Sequence, residues 1–206
     1  MRILLTAGPT REPIDPVRYL GNRSSGQMGQ GLAAAALRAG HALTTILGPV
    51  SISMPKNLRR IDVETAQQMH DAVLTEFPKH DLLIMAAAVA DYRPKIAQTE
   101  KIPSGDNLTL ELEPTPDILA AAGANKRPDQ RTVGFSLVSQ HDLAKSQQKI
   151  RQKNLDLIVS NPLETISSPT IVATLLWADG RTEELPSRSK AALADILLQR
   201  AVDLFK

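Results

Sequence analysis

The sequence predicts an α/β protein, a Rossmann-like and mainly parallel sheet flanked by helices, with an added β-element and an antiparallel hairpin. Short apolar runs alternate with helix-length segments, the pattern of repeated strand–helix–strand units. The first run, Ile3-Leu4-Leu5, ends in Gly8-Pro9-Thr10, and a polar loop separates it from an Ala-rich helical pattern. That loop is far longer than the roughly 2–6 residues of an ordinary strand-to-helix connector. Near the C-terminus, Asp179-Gly180 stands between two strand-like segments, a strong hairpin signal.

Each element follows from local pattern. Strands are expected over residues 2–6, 42–47, 82–87, 132–135 and 155–160, where apolar runs are bounded by turn residues. Helices are expected over residues 26–39, 65–77, 117–122, 142–153 and 189–205, between those strands and after the last. Two segments break the rhythm. Residues 108–112 alternate apolar and polar, as a half-exposed strand does, and residues 171–178 and 181–185 flank the Asp-Gly turn. These are the added β-element and the hairpin. With 206 residues and no low-complexity linker, a single domain spanning residues 1–206 is expected.

Composition removes several function classes. Hydrophobic residues make up 42% of the chain but aromatics only 3%, so the core is aliphatic and base-stacking platforms for single-stranded nucleic acid are missing. A formal net charge of +2 does not make a duplex-binding face. Without cysteine there are no disulfides and no thiolate metal sites. No signal-peptide layout and no membrane-length apolar run is seen, and a cytoplasmic location is expected.

Three segments carry candidate chemistry. Ser24-Ser25-Gly26 opens the first helical pattern, with Asn22 and the arginines 11, 18 and 23 close by. A serine here can be an ordinary N-cap, or the group can cradle a phosphate or carboxylate. The loop is not the G-x-G-x-x-G fingerprint, and no Walker loop is present. The second segment is the alanine run Ala86-Ala87-Ala88 leading to Asp91, placed where α/β sheets bind ligands. Asp91 suits either a ligand contact or a turn cap. Lys101 reads as a plain loop lysine. The third is the pair Lys149 and Lys153, on one helical face, either solvated or neutralising a polyphosphate. The histidines 41, 70, 80 and 141 lack metal-ligand spacing.

In this order, the motifs Thr6–Glu12, Asp15–Tyr19, Asn22 with Ser24-Ser25-Gly26 and Met28-Gly29, Ala87–Arg93, Glu100-Lys101-Ile102, Pro116-Asp117-Ile118, Gly134-Phe135 and Lys153–Asp156 resemble the phosphopantothenoylcysteine synthetase (phosphopantothenate–cysteine ligase) family over nearly the whole chain. The resemblance implies a ligase of coenzyme A biosynthesis. Such an enzyme activates the carboxylate of 4′-phosphopantothenate with CTP, or ATP, and Mg²⁺, and then joins it to cysteine. It implies Asn22 and Lys101 as catalytic residues. Arg18, Asn22, Ser24, Ser25 and Gly26 are implied for substrate. Met85, Ala86, Ala87, Asp91, Lys101, Pro116, Asp117, Ile118, Leu119, Phe135, Lys149 and Lys153 are implied for nucleotide. No metal ligands are assigned. A homodimer joined through the extra β-element is implied, with residues 108–112 and the hairpin as candidates, and a separate flavin-dependent decarboxylase is a possible partner.

The chain departs from the family pattern at Gln27, where a lysine is usual, at Pro103-Ser104 in place of two lysines, and over residues 136–139, where an acidic residue is lost. Those departures leave a non-catalytic paralogue that binds a nucleotide or a phosphopantetheine-like ligand as the alternative, with an NAD(P) oxidoreductase further off for want of the glycine fingerprint.

Overall fold

The computed structural model describes residues 1–105, 107–138, 143–163, 168 and 170–206. In chain order its strands are β1 (Arg2–Ala7), β2 (Arg11–Pro13), β3 (Tyr19–Gly21), β4 (Ala42–Leu47), β5 (Arg59–Asp62), β6 (Leu82–Met85), β7 (Tyr92–Pro94), β8 (Leu112–Pro114), β9 (Arg131–Val138), β10 (Leu157–Pro162), β11 (Thr170–Trp177) and β12 (Thr182–Ser189). Its helices are α1 (Gln27–Arg38), α2 (Ala66–Glu76), α3 (Ile118–Ala124), α4 (Leu143–Gln152) and α5 (Lys190–Asp203).

One eight-stranded sheet runs β5-β4-β1-β6-β9-β10-β11-β12. The first six are parallel, and β11 and β12 close the far edge antiparallel. The expected hairpin is therefore present, but as a continuation of the main sheet. Every residue of β1 after Arg2 is buried, as expected for a parallel strand covered on both faces. Alternation along it sorts the core into two layers. Ile3 and Leu5 face α1 and α5, packing with Leu32, Ala33, Ala36, Leu193 and Leu197. Leu4 faces the other way, with Met69 and Val73 of α2 and Ile118 and Ala122 of α3. Burial of each such Leu or Ile contributes about 1.5–3 kcal/mol.

Several expectations are corrected. Residues 108–111 form no strand; only Leu112–Pro114 pairs, with β7, in a separate two-stranded unit. The alternation there reports solvent-exposed leucines rather than a buried face: Leu108 and Leu112 are both about half exposed. Neither serine caps α1. Gly26 occupies the N-cap in the left-handed region at φ 79°, with no side-chain cap, while the Ser24 hydroxyl accepts from the Gly26 N–H at 3.4 Å. The helix expected over residues 142–153 begins within the described residues at Leu143; His141, Asp142 and Ser139 lie outside them.

The long loop after β1 is itself folded. Within it, β2 and β3 pair antiparallel. The buried Glu12 carboxylate accepts the Ala66 N–H at 2.8 Å and so ties the hairpin to the start of α2. At the tip, Asp15 accepts the N–H groups of Val17 (2.8 Å), Arg18 (2.7 Å) and Ile102 (3.2 Å), and the Arg18 guanidinium at 3.1 Å. Among the described residues no helix is long and apolar enough to cross a membrane.

Candidate functional site

The parallel strands take the order β5-β4-β1-β6-β9-β10, so chain direction across the sheet reverses between β1 and β6. Ligands of such sheets bind in the crevice at the carboxyl ends of the strands at that reversal. Here the two loops leaving β1 and β6 are zipped together. The Ala88 N–H donates to the Gly8 carbonyl at 2.9 Å, and the Thr10 N–H donates to the Ala88 carbonyl at 3.2 Å. The Thr10 hydroxyl accepts from the Ala90 N–H at 2.9 Å, and Asn22 Nδ2 donates to the carbonyls of Ala88 (3.0 Å) and Val89 (3.1 Å). Thr115 Oγ1 donates to the Ala90 carbonyl at 2.5 Å, fixing the next loop against the same segment. The alanine run thus presents backbone to the crevice with only methyl groups in the way.

A cleft of about 750 Å³ opens there. It gathers Asn22, Ser24, Ser25, Gly26, Met85, Ala86, Ala87, Asp91, Pro116, Asp117, Ile118, Leu119, Phe135, Lys149 and Lys153, residues drawn from five separate stretches of chain. Arg18 and Lys101 are not part of its wall. Arg18 is held by Asp15 and donates Nη2 to the Ile102 carbonyl at 3.3 Å, which leaves Lys101 exposed beside that contact. A second cleft, about 840 Å³, lies on the other side of residues 22–25 and is lined by Arg11, Tyr19, Arg60 and Asp62. Arg60 and Asp62 pair at 2.6 Å, and the Arg11 guanidinium stacks 4.6 Å over the Tyr19 ring.

The electrostatics of the first cleft favour an anion. Gly26 supplies no side-chain cap, so the first N–H groups of α1 lack a side-chain acceptor at the positive end of the helix dipole. Lys149 Nζ donates to Ser136 Oγ at 3.1 Å, and Lys153 pairs with Asp117 at 2.8 Å. Burial pushes the Asp117 carboxyl up. The Lys153 ammonium, the Ala120 N–H and the nearby Lys149 charge outweigh that and hold it below its ordinary value. Asp91 has no hydrogen bond or ion pair to its carboxylate among the described residues. No group of three or more metal-ligating side chains exists among the described residues. One or two carboxylates plus substrate phosphates suffice for Mg²⁺, and Asp91 fits that arrangement.

Sequence reasoning missed three polar members of the wall, Thr115, Lys190 and Asn161, the last near the end of β10. Thr115 precedes the Pro116–Leu119 stretch and was legible as its neighbour. Lys190, the first residue of α5, places Nζ 3.4 Å from Gln27 Oε1, and burial pulls its ammonium below the ordinary lysine range. No local pattern marks it, because its neighbour in the cleft is 163 positions away.

Residues 1–204 match the DNA/pantothenate metabolism flavoprotein C-terminal domain family. The chain is 41% identical over 205 residues to the coenzyme A biosynthesis bifunctional protein CoaBC of Vibrio vulnificus strain YJ016, covering 96% of this chain and 51% of that protein. It therefore spans about half the length of the curated relatives it matches. The crystal structure of the C-terminal domain of a coenzyme A biosynthesis bifunctional protein CoaBC superposes with TM-score 0.85 at 36% identity, covering 98% of this chain and 96% of that one. A Cab2 mutant in complex with phosphopantothenate-cysteine shares the fold, with TM-score 0.77, 17% identity and coverage of 98% and 87%.

Proposed function

Since the chain belongs to the DNA/pantothenate metabolism flavoprotein C-terminal domain family, we propose that it is the ligase that joins 4′-phosphopantothenate to cysteine, using CTP or ATP. The observation that supports this most directly is the single cleft that unites the Asn22 loop, the alanine run, Asp117 and the two lysines of α4. Two anionic reactants must meet there, and preorganised donors lower the cost of that meeting. A carboxylate oxygen of phosphopantothenate attacks the α-phosphorus, the bond to the β-phosphate breaks and pyrophosphate leaves. The cysteine amine then attacks the acyl carbon, loses a proton, and expels the nucleoside monophosphate. Holding both reactants in one cleft supplies up to about 7–11 kcal/mol of that barrier when alignment is good.

In this reading Met85, Ala86, Ala87 and Phe135 flank the base and ribose. Asp117 orients Lys153, and Lys149 and Lys153 face the phosphates. Ser24, Ser25 and Gly26 serve the phosphate end of a substrate. Asn22 is assigned to the activated carbonyl; its Nδ2, which donates here to the Ala88 and Val89 carbonyls, turns one N–H to the acyl oxygen to hold it. Asp91 would help to hold a Mg²⁺ ion, which would supply charge neutralisation of the triphosphate. The CoaBC relatives are described as bifunctional, so a flavin-dependent decarboxylase is the natural partner, as a separate protein or a fused domain.

Arg18 and Lys101 complete the site from a protomer boundary. The two small hairpins, β2–β3 and β7–β8, pack side by side and leave Val17, Tyr19, Tyr92, Ile96, Leu108 and Leu112 about half exposed or more. That apolar face suits a second copy of the chain, and the contact between Arg18 and Ile102 lies next to it. The test mixes protein, 4′-phosphopantothenate, cysteine, Mg²⁺ and CTP or ATP. Pyrophosphate and nucleoside monophosphate should form with one nucleotide; absence of both products with either nucleotide defeats the ligase reading. Nucleotide-induced thermal stabilisation without turnover identifies the non-catalytic alternative that the Gln27 departure favours.

A further inference from the structure

Lys190 occupies an unfavourable place for a lysine. It is the first residue of α5, so its charge sits at the positive end of that helix's own dipole. α5 packs along α1, and this brings the Lys190 ammonium to Gln27, the first residue of α1, at the positive end of a second helix. No carboxylate lies within ion-pair distance of Lys190 among the described residues, whereas Lys153, across the cleft, has Asp117. Partial burial adds to the cost of the charge. Among the described residues the ammonium's partner is the neutral Gln27 oxygen at 3.4 Å, which carries no charge to offset these terms; an anion in the cleft does.

We infer that Lys190 is a phosphate-binding residue of the nucleotide cleft, supplying from α5 the cation that Gln27 does not supply from α1. This assignment rests on the ligase reading above. It makes the last helix part of the site and gives Gln27 the role of holding the lysine through Oε1. The ligand group it takes is the β- or γ-phosphate end of a nucleoside triphosphate, so its effect must be larger for a triphosphate than for the monophosphate.

The test is calorimetric titration of the full chain with CTP, ATP and CMP, beside steady-state nucleotide KM. Lys190→Met should weaken binding of the preferred triphosphate by about tenfold or more, the scale of one charge-assisted hydrogen bond. It should leave CMP within about threefold. The double variant Gln27→Lys with Lys190→Met should recover most of the triphosphate affinity, because it restores a cation to the same corner. Lys190→Arg, with unchanged folding by circular dichroism, serves if the methionine variant does not fold and should retain most of the affinity. Equal losses for CTP and CMP, no loss for either, or no rescue by Gln27→Lys each overturn the inference while leaving the ligase reading standing. A wild-type protein that binds neither triphosphate overturns both.

Discussion

Gly123→Ala is expected to impair nucleotide use from a position outside the cleft wall. Gly123 lies in the last turn of α3, against the chain leaving α4. A Cβ built there would stand 1.9 Å from the Lys153 carbonyl oxygen, where ordinary contact begins at 3.4 Å. The end of α4 would then have to retreat by the difference, 3.4 − 1.9 = 1.5 Å. Asn154, in the left-handed region at φ 50°, donates Nδ2 to the Gly123 carbonyl at 2.9 Å, and that bond would stretch as well. The Lys153–Asp117 pair, now 2.8 Å, would open to about 4 Å, beyond hydrogen-bond reach.

Overpacking costs about 1–3 kcal/mol, and the weakened bond about 1 kcal/mol. Alanine's better helix propensity returns up to about 1 kcal/mol, for a net loss of about 1–3 kcal/mol. In a chain of this length that lowers Tm by about 3–10 °C. Nucleotide KM should rise by about tenfold, because a lysine is moved off the phosphates. Thermal melts and steady-state kinetics read both effects, and Gly105→Ala, with nothing within 4 Å, is the neutral control. Wild-type Tm together with wild-type KM in Gly123→Ala would refute the claim that this contact positions Lys153.

Asn22→Asp exchanges the Nδ2 donor for a carboxylate facing two carbonyls, so turnover should fall by about tenfold or more; turnover equal to wild type removes Asn22 from the mechanism. The Glu76 carboxyl, hydrogen-bonded to Arg59 and Lys79, is lowered to about 2 from 4.5. Its folded pKa is depressed, so the stabilisation is present above about pH 4.5 and is lost as pH falls towards 2. Both cations are more than half exposed, and solvent screening reduces the effect to about 1–2 kcal/mol. Urea midpoints of wild type should therefore fall between pH 4.5 and 2, and those of Glu76→Gln should be flatter over that window; parallel curves contradict it. Glu12→Ala leaves the Ala66 N–H without its carboxylate and should cost about 1–3 kcal/mol by urea unfolding. No change there would mean that the N-cap Thr65, whose hydroxyl accepts the Gln68 N–H at 3.2 Å, holds the start of α2 by itself.

The parallel core was legible because its strands are buried on both faces and read as unbroken apolar runs, β1 and β6 above all. β5 was not, since Arg59–Asp62 is an edge strand with one apolar residue, Ile61, turned to the core and three exposed charged ones. The hairpins escaped for a similar reason: three-residue strands carry no period, and the Asp15 turn that organises β2 and β3 depends on Ile102, 87 positions away. The resemblance named most of the cleft wall residue by residue. It could not show that Arg18 and Lys101 stand outside the cleft of their own chain, which depends on how the Asp15 turn folds back on residue 102. Lys190 was hidden because its meaning arises only when the last helix is laid against the first.

That pairing of first and last helices also sets a timetable. During synthesis α1 is complete once residue 38 has been made, but its partner α5 is not finished until residue 203. At about 5–20 residues per second the ribosome needs roughly 8–33 s for the 165 residues between them. Throughout that interval α1 can lean on β1 and β4, but its Gly31 side, which meets Lys190, Ala191 and Ala194 of α5, has no partner helix. The nascent chain therefore carries this side of its first helix open for most of its emergence. The ligand cleft, with Lys190 in its wall, is among the last features to be completed.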